Sequence, residues 1–326
     1  MLIGEHPSIV ELRKLVDRVA PSKAGTVLIY GETGTGKGLV ARMIHQGSPR
    51  RARAFIDINC AAIPAELLES ELFGHERGAF TGAVGRKEGL VEAASGGTVF
   101  LDEVRELDPV MQAKILTLLD TKRFRRIGAV KPIDVDVRFI AATNKILLQE
   151  VHAGKFRDDL YYRLQVISLN IPPLRERGDD VFLLAGNFLQ RYHELHGGMR
   201  KQLDDEVQAV FRRYRWPGNV RELENLIERI CLLEEGPWVR LSHLPARILR
   251  EVAPPPPAES PAAPAPPAEA PWPADYQRAT QDFQRRLIET TLHACDGHLG
   301  DTATRLGLTR HALRHQMLKL GMLGQG

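Results

Sequence analysis

Apolar and polar positions along the first 250 residues follow two rhythms. The segment PSIVELRKLVDRVA (Pro7–Ala20) repeats its apolar residues at helical spacing, whereas TVLIY (Thr26–Tyr30) is a continuous apolar run that ends in glycines. Further apolar or β-rich runs follow at AFIDIN, GTVFLDEV and DVRFIAATN, each separated from the next by a helix-like stretch. Short buried runs alternating with helices predict an α/β core over residues 1–177, a parallel sheet covered by helices on both faces. From Gly178 the rhythm is helical alone, through DDVFLLAGNFLQRYHEL, LDDEVQAVFRRYR and NVRELENLIERICLLEE, which predicts a small helical subdomain over residues 178–252.

The pattern then breaks. Pro254 to Pro273 holds ten of the 21 prolines, a composition that cannot pack a core and predicts a semi-stiff linker over residues 253–274. After it, ADYQRATQDFQRRLIETTLHA reads as an amphipathic helix, and LGDTATRLGLTRHALRHQMLKLGM as two short helices around a turn at Leu306–Leu308, an all-α module over residues 275–326. Its last helix carries Thr309, Arg310, His311, Arg314, His315 and Lys319, and no acidic residue follows Asp301. Such a local positive face suits phosphates and guanine edges in a major groove; the alternative is a small helical protein-interaction domain. His311 and His315 stand four apart, but with arginines interleaved and no further ligand nearby they read as part of that face rather than as a metal pair.

Composition adds little. The net charge is only +3, so bulk electrostatics point to no partner, and the hydrophobic (43%) and charged (26%) fractions are those of an ordinary globular protein. Three scattered cysteines predict reduced thiols rather than a disulfide framework or zinc site. No apolar run of about eighteen residues occurs, so the expectation is a cytoplasmic protein without a membrane partner.

The chemistry lies at the glycines after the first strand. GETGTGKG comprises Gly31, Glu32, Thr33, Gly34, Thr35, Gly36, Lys37 and Gly38, with Leu39 opening the following helix. Its glycines let backbone N–H groups curl around phosphates, the helix N-terminus adds positive potential, and Lys37 can reach the β- and γ-phosphates. The usual Ser or Thr after the lysine is replaced by Gly38, so the hydroxyl that normally ligates Mg²⁺ is missing. GTVFLDEV ends in Asp102 and Glu103 at a strand's carboxyl edge, where open α/β sheets bind ligands. Asp102 is expected to hold the Mg²⁺ shell and Glu103 to polarise the attacking water, which predicts a hydrolytic NTP site, binding without hydrolysis being the alternative. The resemblance described next makes the cofactors ATP and Mg²⁺ and the activity ATP hydrolysis.

Taken in order, these motifs resemble those of the sigma-54-dependent transcriptional activators, the bacterial enhancer-binding proteins, over nearly the whole chain. The most specific is GAFTGA, here Gly78, Ala79, Phe80, Thr81, Gly82 and Ala83, inserted before the Asp102 strand. The resemblance implies an AAA+ P-loop core with a helical lid, a surface loop at GAFTGA that contacts sigma-54 on RNA polymerase, and a Fis-type helix-turn-helix at the C-terminus. Small residues around Phe80 permit a thin mobile loop with an aromatic anchor; the alternative is Phe80 folded back on its own domain, and loop motion allows both. The family pattern further implies that Asn59 pairs with Glu103, that Thr143 and Asn144 sense the γ-phosphate, and that RFRRIGAV (Arg123–Val130) is a second surface loop moving with the first. It also implies that Arg157 and Arg163 reach into a neighbouring subunit's site, and that Arg221 is directed at the γ-phosphate from the lid.

Some of these assignments have competitors in the sequence itself. A separation of six residues is about 240° around a helix, so Arg157 and Arg163 would diverge on an unbroken one; Arg163 is then the direct finger and Arg157 an interface residue. Either could pair instead with Asp158 or Asp159, and Arg221 could pair with Glu224 or Glu228. The family generally carries glutamate after the Walker lysine, so Gly38 is a departure that bears on Mg²⁺ affinity and turnover.

The function implied is that of an ATP-driven activator, related to response regulators. As a homo-oligomer, from dimer to hexameric ring, it remodels sigma-54 RNA polymerase while tethered to double-stranded enhancer DNA. The alternative is a nucleotide-binding repressor or co-regulator of the same architecture that does not act on sigma-54. The chain begins almost where the ATPase core should, so regulation is expected from a domain outside this sequence, from a partner protein in trans or from expression level.

Overall fold

A computed structural model describes residues 2–197, 199–252, 276–295 and 297–322. They belong to two compact units, Met1–Ala253 and Pro254–Gly326. The linker expected over residues 253–274 lies outside the described residues.

The first unit is built on a five-stranded parallel sheet in the order Phe55–Asn59, Thr98–Asp102, Arg138–Thr143, Thr26–Tyr30, Ser168–Asn170. Val27, Leu28, Ile29, Val99, Ile140 and Ala142 are fully buried, which is why these strands read as continuous apolar runs. One face is covered by Ile9, Leu12 and Val16 of the Pro7–Val19 helix and by Val40, Ala41 and Ile44 of the Lys37–Gln46 helix. The other packs against Leu68 and Leu72 of the Ala65–Phe73 helix, Met111, Ile115 and Leu118 of the Pro109–Thr121 helix, and Leu160 and Leu164 of the Asp158–Leu164 helix. Parallel register places Asn59 beside Asp102 and Tyr30 beside Thr143, so the candidate chemistry gathers along one edge of the sheet.

Helices Asp180–His196, Asp205–Arg213, Asn219–Leu233 and Ala246–Val252 form the helical subdomain around Phe211, Trp216, Leu223 and Ile227. Trp216 is its pivot. The indole stands edge-on to Phe211 at 5.0 Å and to Tyr214 at 5.1 Å, and its Nε1 donates to the Phe211 carbonyl at 3.0 Å. Helices alone do not complete this region, because Gln202–Leu203 pairs in parallel with Trp238–Val239. Two-residue strands are too short to impose an alternation on the sequence, and the same holds for the three-residue sheet strand Ser168–Asn170.

The second unit contains helices Tyr276–Ala294, Leu299–Arg305 and Arg310–Lys319 around Ile288, Ala303, Leu313, Met317 and Leu320. Gly307 turns between the last two helices with φ +67°, and Thr309 caps the last one by accepting from the Ala312 N–H at 3.2 Å. The α/β core with helical lid and the all-α C-terminal module are thus the architecture expected. Among the described residues no helix is long and apolar enough to cross a membrane.

Candidate functional site

The Thr26–Tyr30 strand runs directly into the glycine loop. Gly34 (φ +81°) and Gly36 (φ +102°) adopt left-handed backbone there, and a Cβ on Gly34 would lie 2.2 Å from the Gly218 carbonyl oxygen. The loop borders a cavity of about 950 Å³ between the core and the helical subdomain. Thr33, Gly34, Thr35, Gly36, Lys37, Gly38 and Leu39 line it together with Asn59, Asp102, Glu103 and Arg221, and Leu2, Ile3, Leu184 and Phe188 add apolar surface. Gly31, Glu32, Thr143, Asn144, Arg157 and Arg163 stand outside that lining. A larger cavity of about 1100 Å³, between the Ala65–Phe73 and Pro109–Thr121 helices, contains none of the residues expected to do chemistry, so the glycine-loop cavity is the candidate site.

Within it, Lys37 is buried and its Nζ donates to the Gly31 carbonyl at 3.1 Å and to Glu103 Oε1 at 3.3 Å. The other Glu103 oxygen accepts from the Asn144 backbone N–H at 3.2 Å, while Asn144 Nδ2 donates to Thr33 Oγ1 at 3.3 Å. Asn144 Oδ1 is buried without a partner among the described residues. Thr143 is fully buried at the strand end, and its hydroxyl contacts the Lys145 carbonyl at 3.3 Å. Glu103 itself has φ +54°, a left-handed conformation that costs a non-glycine residue about 1–2 kcal/mol and turns its carboxylate back over the lysine.

Asp102 Oδ1 accepts from the Glu103 N–H at 3.0 Å. Burial, above all, raises the Asp102 pKa; Lys37 offsets part of the rise, while Glu103 and Asp57 add to it. The donor set fits Mg²⁺, which takes one or two carboxylates and fills the rest of its shell with substrate phosphates and water. Gly38 contributes no hydroxyl. Nor does crowding impose the glycine, since a Cβ there would meet nothing closer than the Phe100 ring at 3.7 Å. Neighbouring Cys60 is inert, its thiol pushed up to about 12 chiefly by burial.

The expected Asn59–Glu103 pair is not formed. Asn59 Oδ1 accepts from the Ala61 N–H at 3.0 Å and so closes the turn after its own strand, while Lys37 and Asn144 hold the glutamate.

The GAFTGA segment closes on itself, with the Gly78 N–H donating to the Ala83 carbonyl at 2.8 Å and the Ala83 N–H to the Phe80 carbonyl at 3.0 Å. Gly78 (φ +78°) and Gly82 (φ +106°) turn it through left-handed backbone, and Thr81 is exposed while Ala83 is buried. Phe80 is 42% exposed, and its ring leans edge-on against His75 at 5.0 Å. Both readings of the loop therefore meet here: the aromatic is half-presented and half-docked. Beside Ala79 runs the second loop, between the paired strands Arg123–Phe124 and Ile133–Asp134. Its Ile127 exchanges backbone hydrogen bonds with the stem of the first, N–H to the Gly74 carbonyl at 2.9 Å and carbonyl from the Glu76 N–H at 3.0 Å. Arg126 clamps that join, chelating Glu92 at 2.7 and 2.8 Å and Glu76 at 2.8 Å. Sequence reading singled out the segment but not this arginine, because only the fold brings two distant glutamates to it.

Arg157 and Arg163 are not among the residues that line the cavity. Arg157 caps the Asp158–Leu164 helix from an extended backbone (ψ 136°), so the two arginines do not share one unbroken helix and the angular reasoning does not apply to them. Arg157 pairs with Asp159 at 2.7 Å, as its sequence neighbourhood allowed; Arg163 pairs with Asp120 at 2.9 Å rather than with either nearby aspartate. Arg221 is not drawn to Glu224, which pairs with Arg191; its backbone N–H donates to the Gly34 carbonyl at 3.2 Å and its side chain borders the cavity. Glu32 turns away from the cavity and is chelated by Arg175 at 2.6 and 2.9 Å. In the C-terminal unit Thr309, Arg310, His311, Arg314, His315 and Lys319 are all exposed, while Leu313, Met317 and Leu320 face the core.

Comparison with known proteins agrees with this geometry. Residues 2–170 match the sigma-54 interaction domain, residues 175–261 the AAA+ ATPase lid domain, and residues 280–320 the bacterial regulatory proteins of the Fis family. The response regulator protein PilR of Pseudomonas aeruginosa is 44% identical over 321 residues, 98% of this chain and 70% of its own length. Nitrogen fixation protein AnfA of Azotobacter vinelandii is 41% identical over 321 residues, and there the chain, 98% covered, spans only 57% of the relative. Among solved structures, NtrX from Brucella abortus in complex with ADP superposes with a TM-score of 0.73 at 33% identity, over 98% of this chain and 70% of that one. With a sigma-54 interaction domain, an AAA+ lid and a Fis-type helix-turn-helix in succession, the chain belongs to the sigma-54-dependent transcriptional activators.

Proposed function

We propose that this protein hydrolyses ATP to remodel sigma-54 RNA polymerase from the closed to the open promoter complex, working from an upstream site on double-stranded DNA in the cytoplasm. One observation carries the reading: an intact GAFTGA loop, Phe80 half-exposed, stands on the same unit as a cavity edged by Lys37, Asp102 and Glu103. The ATP- and ADP-bound structures of the similar NtrX support nucleotide as the ligand.

Lys37 holds the β- and γ-phosphates, and its departure from Glu103 when phosphate arrives frees that carboxylate to orient the attacking water. Asp102 would hold Mg²⁺, which supplies charge neutralisation on the phosphate oxygens. Thr143 and Asn144 are the candidates for sensing the terminal phosphate, Asn144 through the backbone N–H that it donates to Glu103. Arg221 reaches the phosphates from the lid. By family likeness Arg163, assisted at the interface by Arg157, serves the next subunit's site, a role compatible with their absence from the lining of their own. Such a role in trans requires a homo-oligomer, proposed here as a ring that is hexameric when active. Changes at Glu103 reach the GAFTGA loop along the sheet edge, and Arg126 makes both surface loops move together.

The exposed basic face Arg310–Lys319 enters the major groove, and the Tyr276–Ala294 helix, with Phe283 and Leu287 exposed, offers a pairing face for a DNA-bound dimer. Transcription in vitro from a sigma-54 promoter tests the whole reading. Open complexes are expected with ATP and not with a non-hydrolysable analogue. ATP consumption without engagement of sigma-54 in any nucleotide state would replace the activator with a repressor of the same architecture.

A further inference from the structure

We infer that Glu32, Arg175 and Asn219 form a latch that ties the phosphate loop to the segment 174–177 leading into the lid, its hinge, and sets how long nucleotide is retained. The inference rests on the nucleotide reading above and concerns positioning, because none of the three side chains faces the reacting groups.

Four successive loop residues are each held by a residue of the hinge or lid. The Glu32 carboxylate is chelated by Arg175, Nη2 to Oε1 at 2.6 Å and Nη1 to Oε2 at 2.9 Å, and it also accepts from Asn219 Nδ2 at 3.2 Å. The same Asn219 nitrogen donates to the Thr33 carbonyl at 3.0 Å. Gly34 receives the Arg221 backbone N–H at 3.2 Å, and it packs so closely on Gly218 that no larger residue fits. The Thr35 carbonyl accepts from Arg177 Nη2 at 3.3 Å, and that guanidinium is buried.

Asn219 is the rivet among them. It is fully buried, holds left-handed backbone (φ +53°) and accepts on Oδ1 from the Leu174 N–H at 2.8 Å. One amide therefore joins three segments, the loop at 32–33, the hinge at 174 and the start of the lid helix. Asparagine is the side chain for this task, since it tolerates left-handed backbone and offers donors on one edge and an acceptor on the other. The Arg175–Glu32 pair is about 40% exposed and contributes modestly; the buried amide cannot lose a partner without leaving polar groups unsatisfied. Because the loop and the lid close on nucleotide from two sides of one cavity, fixing one to the other keeps the cavity in its holding shape.

Asn219→Asp separates this role from general stability. It keeps the acceptor for Leu174 and the tolerance for left-handed backbone, but removes the donor to Glu32 and Thr33 and sets a carboxylate against Glu32. Release of methylanthraniloyl-ADP from the full chain, followed by stopped flow, is expected to quicken about tenfold or more, the cost of one broken charge-assisted contact. The KM for ATP rises accordingly while kcat at saturation changes little. The exchange Glu32→Gln with Asn219→Asp restores a donor to face the new acceptor, though not the one to the Thr33 carbonyl, and is expected to recover part of the retention. Unchanged release in Asn219→Asp, or a fall in the nucleotide-free melting temperature that explains faster release and is not repaired by the exchange, overturns the latch. If the wild-type chain retains no labelled ADP, the nucleotide reading itself fails and the latch with it.

Discussion

Lys37 Nζ lies 3.3 Å from Glu103 Oε1, so the lysine that should grip phosphate and the carboxylate that should orient water are paired with each other. In the proposed mechanism phosphate displaces Glu103 from the lysine, and the Asn144 N–H, at 3.2 Å from the other carboxylate oxygen, is placed to keep hold of it. Glu103→Ala is therefore expected to bind ATP at least as well as wild type, since it leaves Lys37 free of its rival, and to lose about 10²–10⁴-fold in kcat. Phosphate release and equilibrium nucleotide binding measured on the same preparation check this. Normal turnover would remove Glu103 as the water-orienting group.

Asp102 makes a prediction about pH. Burial raises its pKa above the ordinary carboxylate range of about 3.9, so folding favours the protonated form. Its contribution to stability is fully present below the ordinary value and is lost as pH rises through the raised one. In the nucleotide-free protein Asp102→Asn should melt higher than wild type at neutral pH, and the difference should vanish in acid, where both side chains are neutral. The same variant should lose the extra stabilisation that Mg²⁺ gives over ATP alone. Melting curves across pH, with and without Mg²⁺ and ATP, decide it; an Asn variant less stable at neutral pH contradicts the assignment.

The two surface loops separate catalysis from engagement. Thr81 is exposed and stands apart from the cavity lining, so Thr81→Ala should leave ATP turnover within about twofold, a surface substitution of small energetic consequence, while abolishing open-complex formation. Arg126→Ala acts differently. It strands Glu92 and Glu76 at the join of both loops and should cost on the order of 1–3 kcal/mol in folding stability, as for a charge-assisted pair deprived of one partner. Denaturant unfolding of the two variants distinguishes them. Equal loss of turnover and open-complex formation in Thr81→Ala would make the GAFTGA loop a structural element.

How much of this the sequence carried depends on distance along the chain. The glycine loop, the apolar strands and the basic last helix are local patterns, each legible within about ten residues because one periodicity or one turn dictates it. Ser168–Asn170 and the Gln202–Leu203 pairing were not, because strands so short carry no alternation and form only where a neighbouring strand already waits. The side-chain junctions were least legible. Arg126 meets Glu92 across 34 residues and Asn219 meets Glu32 across 187, and only the assembled fold selects those partners. Family likeness pointed to Asn59 as the partner of Glu103, yet in this geometry Asn59 is engaged by the turn that follows its own strand.

The C-terminal unit supplies the remaining test. Its last helix splits cleanly, Leu313 and Met317 buried while Arg310, Arg314 and Lys319 stay in solvent, so side chains can be removed from the outer face without touching the core. Replacing Arg314 with alanine should leave the melting temperature of the unit unchanged within error. If Arg314 neutralises a phosphate, binding to duplex DNA should weaken almost equally on cognate and random sequences, and the slope of log K against log salt should fall by about one. If instead it reads a guanine edge, cognate binding alone should weaken, by about 1–3 kcal/mol, with relaxed specificity at one base pair. Titrations of both duplexes at several salt concentrations separate the two. An Arg314→Ala protein with neither change would remove this face from DNA contact and leave the helical module as a protein-binding domain.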